Sequence, residues 1–121
     1  MNRTQILDYQ GKKIFFMDFS KLKTHEEIKE VILDSKKYIH AQPAGSVYAL
    51  TSVEGMHFNV QIKNLFAEFL KSNEPFIKAS AVTGISGLLR AVYNGVLALT
   101  GRDTRAFNTM EQAKAWLSDQ K

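Results

Sequence analysis

The sequence predicts an α/β domain with a mostly parallel five-stranded sheet and four helices, in the order ββαβαβαβα. Three observations carry this prediction. Short runs of β-branched and aromatic residues alternate with helix-length stretches of 3.6-residue apolar spacing, a pattern that implies parallel neighbours joined by right-handed crossovers. Two capping boxes, Thr24-His25-Glu26-Glu27 and Thr109-Met110-Glu111-Gln112, mark helix starts. A Gly-containing turn near the N-terminus joins two strand-like runs and so adds one antiparallel strand. A chain of 121 residues has room for one core, so residues 1–121 are expected to form a single domain.

Residues 5–9 (QILDY) and 13–19 (KIFFMDF) read as strands joined by Gln10-Gly11-Lys12, with Gly supplying positive φ. The second is apolar on both faces through Ile14-Phe15-Phe16-Met17, as an interior strand should be. In the first box the Thr24 hydroxyl takes a first-turn N–H while Glu27 reaches back to the Thr24 N–H. Ile28, Val31, Ile32, Ser35 and Ile39 then fall on one stripe. Gln42-Pro43-Ala44-Gly45 stops that helix, because the residue before proline avoids α geometry.

Val47 to Thr51 is the third strand. Asn59 is the N-cap of a helix with Ile62, Leu65, Phe66, Phe69 and Leu70 at i, i+3, i+4, i+7 and i+8, ended by Asn73-Glu74-Pro75. Phe76 to Val82 is a strand whose small Ala79, Ser80 and Ala81 allow close packing. Thr83-Gly84-Ile85-Ser86-Gly87 turns the chain into a third helix. Its apolar positions Ile85, Leu88, Leu89, Val92, Tyr93, Val96, Leu97 and Leu99 are too many for one narrow stripe and call for a second covering surface. Gly101 stops this helix, Thr104 to Phe107 is a last short strand, and the closing helix carries Ala113, Trp116 and Leu117.

Composition removes several function classes. Cysteine is absent, which excludes disulfides, thiolate metal sites and cysteine nucleophiles. The segment MNRTQILDYQGKK lacks the apolar stretch of a secretory signal, and no run approaches the ~18 apolar residues that span a bilayer. A cytoplasmic protein without a transmembrane segment is therefore expected. Lys and Arg number 16 against 12 Asp and Glu, a net +4. The basic residues are scattered, without aromatic interleaving, so no nucleic-acid partner is expected.

The hairpin GKKIFFMDFSKL, the phrase QPAGSVYALTSVEG and above all KASAVTGISGLL followed by GRDTRAFNTMEQAKAWL resemble the small bacterial SpoIIAA-like proteins of the STAS type, over nearly the whole chain. The resemblance implies the SpoIIAA-like fold and a module that acts mainly by binding. The best understood members switch partners when a serine is phosphorylated. In those members the turn after the third strand carries an Asp-Ser-Ser/Thr-Gly type motif, and a phosphate there would meet unsatisfied N–H groups at the helix start. The comparable place here reads Met56-His57-Phe58-Asn59-Val60-Gln61, with no hydroxyl, while Thr51 and Ser52 lie earlier, at the strand end. No phosphorylated residue is carried over.

The turn TGISG (83–87) presents backbone N–H groups able to hold an anion, with Arg90 one turn on, or Lys63, to balance its charge. Thr83, Gly84, Ser86, Gly87 and Arg90, together with Phe66 and Tyr93, are the candidate ligand-binding residues. The plainer alternative is that Gly84 and Gly87 only permit a tight bend while Thr83 or Ser86 caps, since two glycines lack the full spacing of a dinucleotide or P-loop motif. Gly84-Ile85-Ser86-Gly87-Leu88 fails as a nucleophile elbow, because the second glycine comes one place early and no histidine follows Ser86. His25, His40 and His57 have no metal-ligand spacing. Asp18 and Glu54, both at strand ends, stay unassigned. Tyr93, Val96, Leu97 and Leu99 either line an apolar cavity, form a self-association patch, or complete the core with Trp116.

These residues predict a non-enzymatic regulatory binding module with no cofactor, metal or catalytic group, acting on a protein partner and forming a homodimer. The alternative is a carrier or sensor of a small apolar or anionic ligand, held near Phe66, Tyr93 and the TGISG turn.

Overall fold

The N-terminal hairpin sets one edge of the sheet. β1 (Thr4–Tyr9) and β2 (Lys12–Asp18) pair antiparallel, Tyr9 facing Lys12. Only Gln10 and Gly11 therefore form the loop, and both have positive φ (50° and 83°). This is the two-residue turn whose twist matches that of the strands, one residue shorter than the sequence pattern indicates. The structure, a computed structural model, describes residues 3–85 and 104–120.

From β2 the chain crosses through α1 (His25–Ile39) to β3 (Val47–Ser52), then through α2 (Val60–Asn73) and a 3₁₀ turn at Glu74–Phe76 to β4 (Ile77–Thr83). β5 (Thr104–Phe107) and α3 (Met110–Ser118) close the chain. Strand order is β1-β2-β3-β4-β5, with β2/β3, β3/β4 and β4/β5 parallel. The α/β class holds, but the sheet is mixed rather than mostly parallel, because the hairpin contributes a full six-pair antiparallel ladder. The structure describes three α-helices, not four: the helix expected from Ile85 to Leu99 and its stop at Gly101 lie outside the described residues. Phe76, expected in β4, belongs to the 3₁₀ turn, where its ring stacks on His40 at 4.8 Å. That stack and the 3.0 Å contact between His40 Nε2 and Asn73 Oδ1 give His40 a structural role.

Strand alternation divides the core in two. One face carries Phe15, Met17, Ala49 and Val82 and is covered by Ile28, Ile32 and Ile39 of α1 and Ile62, Phe66 and Phe69 of α2. The other carries Ile14, Leu50, Ala79 and Ala81 beneath Ala113 and Leu117 of α3. Of the small residues expected to allow close packing in β4, Ala79 and Ala81 are where α3 sits on the sheet, whereas Ser80 points to the face covered by α2.

Three side-chain caps fix the helix starts. Asn59 Oδ1 accepts from the Ile62 N–H (2.8 Å), and Thr109 Oγ1 accepts from the Gln112 N–H (3.1 Å). At α1 the full box is present: Thr24 Oγ1 accepts from the Glu27 N–H (3.2 Å) and Glu27 Oε1 accepts from the Thr24 N–H (3.1 Å). The Thr24 hydroxyl, the Thr24 N–H and the Lys23 N–H, in that order, hold the Glu27 carboxyl below its ordinary range. A carboxyl depressed on folding stabilises the native state above its unfolded pKa, about 4.3 for glutamate, and that contribution is lost as pH falls through the lower folded value. Glu27→Gln is therefore expected to be less stable than the unchanged chain at neutral pH. In urea titrations the difference should shrink below about pH 4.3.

Candidate functional site

The parallel register ends β3, β4 and β5 at one level: Ser52 pairs with Thr83, and Thr83 with Phe107. The loops that follow therefore leave the sheet side by side at its carboxyl edge, where open α/β sheets bind their ligands. They enclose a cleft of about 350 Å³ lined by Ser52, Glu54, Thr83, Gly84, Ile85, Asn108, Thr109 and Met110.

The cleft floor is tied together by backbone bonds. The Val53 N–H donates to Thr83 O (3.0 Å), the Phe19 N–H to Ser52 O (2.8 Å) and the Lys21 N–H to Glu54 O (2.8 Å). Gly84, at φ +86°, lies so close to the β3 loop that a Cβ there would be 2.6–2.7 Å from the N, Cα and Cβ of Glu54. Only glycine satisfies both the left-handed backbone and this approach. The Thr83 hydroxyl contacts Met110 Sδ at 3.5 Å, linking β4 to the start of α3.

Chemically the lining is a hydrogen-bonding surface. Ser52 and Thr83 hydroxyls lie at its base, largely buried, while Glu54, Asn108 and Thr109 are exposed at its rim. Among the described residues, no group of three or more His, Cys, Asp or Glu is placed to hold a metal ion.

No family model matches the chain, and no curated protein matches it. Among solved structures it is similar to an uncharacterised protein of the DUF3478 family with a SpoIIAA-like fold, from Shewanella loihica PV-4. The two are 15% identical, the match covers 94% of this chain and 91% of the other, and the TM-score is 0.74. The chain has a SpoIIAA-like fold.

Within this SpoIIAA-like fold the candidate residues separate. Thr83 and Gly84 line the cleft, and the packing of Gly84 on Glu54 accounts for that glycine structurally. Ser86, Gly87, Arg90 and Tyr93 lie outside the described residues. Phe66 is in the core, its ring set edge-on to Phe19 (4.9 Å) and Phe69 (6.1 Å), and it lines neither the cleft nor the apolar cavity between α2 and the sheet. That cavity, bounded by Met17, Ala49, Phe69, Leu70 and Ile77, has about 20 Å³. This is room for about one water, not for a lipid-like molecule.

Of the unassigned carboxylates, Asp18 is engaged by the Ser20 N–H (2.9 Å) and hydroxyl (2.5 Å) and by Arg3 (3.7 Å), whereas Glu54 is on the cleft rim. At the start of α2 the Asn59 side-chain amide oxygen already accepts from the Ile62 N–H. No sequence signal makes Asn108, Thr109 and Met110 cleft residues; the Thr109 box marks a helix start, and only the strand order shows that this start adjoins Ser52 and Thr83.

Proposed function

We propose that the chain is a non-enzymatic regulatory module that binds a protein partner through the loops after β3, β4 and β5. The observation that carries this is the mutual tethering of the first two of these loops, by the Val53–Thr83 bond and the Gly84–Glu54 contact. Tethering presents hydroxyl, amide and carboxylate groups on a preformed surface, which lowers the ordering cost of recognition. A cytoplasmic setting, expected from the sequence, suits such a module.

Glu54→Lys tests this directly. Glu54 is exposed at the rim, so reversing its charge leaves the core untouched while changing the potential that a partner meets. A partner captured by the unchanged chain in its native host should bind Glu54→Lys at least tenfold more weakly and bind Lys29→Glu, on the exposed side of α1, unchanged. Equal binding of all three proteins contradicts the proposal.

The cleft volume falls within the range of small-molecule sites, about 300–1,000 Å³, and favours a polar ligand sensor as a second function. Native mass spectrometry of freshly purified protein separates the two, since a sensor carries added non-covalent mass.

A further inference from the structure

The outer side of β1 bears the backbone groups of Thr4, Ile6 and Asp8. The hairpin dictates this: across a two-residue loop the flanking residues, Tyr9 and Lys12, exchange both backbone hydrogen bonds. Tyr9, Leu7 and Gln5 therefore face β2, as does Arg3, whose carbonyl accepts from the Asp18 N–H at 2.8 Å. The alternate residues direct N–H and C=O away from the sheet. Among the described residues β1 pairs with β2 alone.

This edge has few of the usual guards, Asp8 being its one charge. Its ladder runs through six pairs without a register shift, and Thr4–Tyr9 contains no proline and no lysine. Ile6, at the centre of the outward set, is 41% exposed.

We propose that a second copy of the chain covers this edge, β1 pairing antiparallel with β1 across a two-fold axis, Ile6 opposite Ile6, so that the two five-stranded sheets become one. This register alone maps the set Thr4, Ile6, Asp8 onto itself, so every outward N–H and C=O of the three residues is paired. It also places Asp8, the one charge of the strand, opposite the Thr4 hydroxyl of the second copy. The two Asp8 carboxylates are then separated by four residues along the strand, roughly 14 Å, beyond the screening length at physiological salt. Shifting the register by two residues sets Asp8 against Ile6 and leaves outward groups unpaired.

Sedimentation equilibrium of the unchanged chain is the first test: it should show a concentration-dependent monomer–dimer equilibrium. Ile6→Pro should sediment as monomer with unaltered far-UV circular dichroism, because proline is tolerated where the lost N–H faces outward from an edge strand. The chain has no cysteine, so a single introduced thiol reports contact. Ile6→Cys should be joined into dimers by a short bis-maleimide at least tenfold faster than Leu33→Cys, which is 51% exposed on α1. A monomer at millimolar concentration, a dimer unaffected by Ile6→Pro, or equal cross-linking of the two thiols overturns the proposal. These measurements do not involve the carboxyl-edge cleft, so the dimer and the function proposed for the cleft stand or fall separately.

Discussion

Gly84→Ala should destabilise the protein by about 2–4 kcal/mol, combining left-handed backbone strain with overpacking against a neighbour that cannot yield. The neighbour is backbone: the added methyl would sit 2.6–2.7 Å from Glu54 N, Cα and Cβ. Relief requires the β3 and β4 loops to separate, which also breaks the 3.0 Å bond from the Val53 N–H to Thr83 O. Partner binding should therefore weaken further than stability alone dictates, even at temperatures where the variant is folded. Thermal unfolding should show a fall in Tm of roughly 10–20 °C. An unchanged Tm would mean that the close approach at Gly84 does not exist.

Phe19→Ala is the second large effect, with an expected loss of about 3–5 kcal/mol. Phe19 is fully buried and sets its ring against Phe66 at 4.9 Å and Phe69 at 6.3 Å, the two nearly perpendicular to each other. Emptying its place removes one ring partner from each of the two α2 rings, leaving only their contact with each other. It lies just beyond β2, and its N–H donates to Ser52 O, so the same residue anchors the base of the cleft. Chemical denaturation should show the loss as a lower midpoint with little change in slope. A double-mutant cycle with Phe66→Ala should give a coupling of about 0.5–1.5 kcal/mol, the usual worth of an aromatic pair beyond its buried area. Strict additivity would show that the rings pack independently.

Local signals were the ones legible in the sequence. Thr24, Glu27 and Asn59 announce helix starts because their bonds run to residues three positions away, and Ile28, Val31, Ile32 and Ile39 report the buried face of α1 through a period that only the helix itself imposes. The cleft was less legible, because its groups are separated in sequence and meet only through the parallel strand order. Nothing local to Gly84 reveals that the backbone of Glu54 lies against it, and nothing local to Asn108 and Thr109 places them beside Ser52 and Thr83. Phe66 shows the converse. Its helical spacing is that of a core residue, and the structure puts it in the core, while a ligand site there depends on Tyr93 in the helix expected from Ile85 to Leu99. The two-residue hairpin loop is not legible in the sequence because Gln10, not only Gly11, takes the left-handed conformation, and a side chain there gives no warning.

On the proposed reading the β3 and β4 loops form one fixed surface before any partner arrives. Amide hydrogen exchange of the free protein tests this at two residues, Val53 and Lys21, whose N–H groups donate to Thr83 O and Glu54 O. Both should exchange as slowly as the amides of the central strand β3, close to the rate set by global unfolding. Exchange at the rate of an open loop at either residue would contradict a preformed surface.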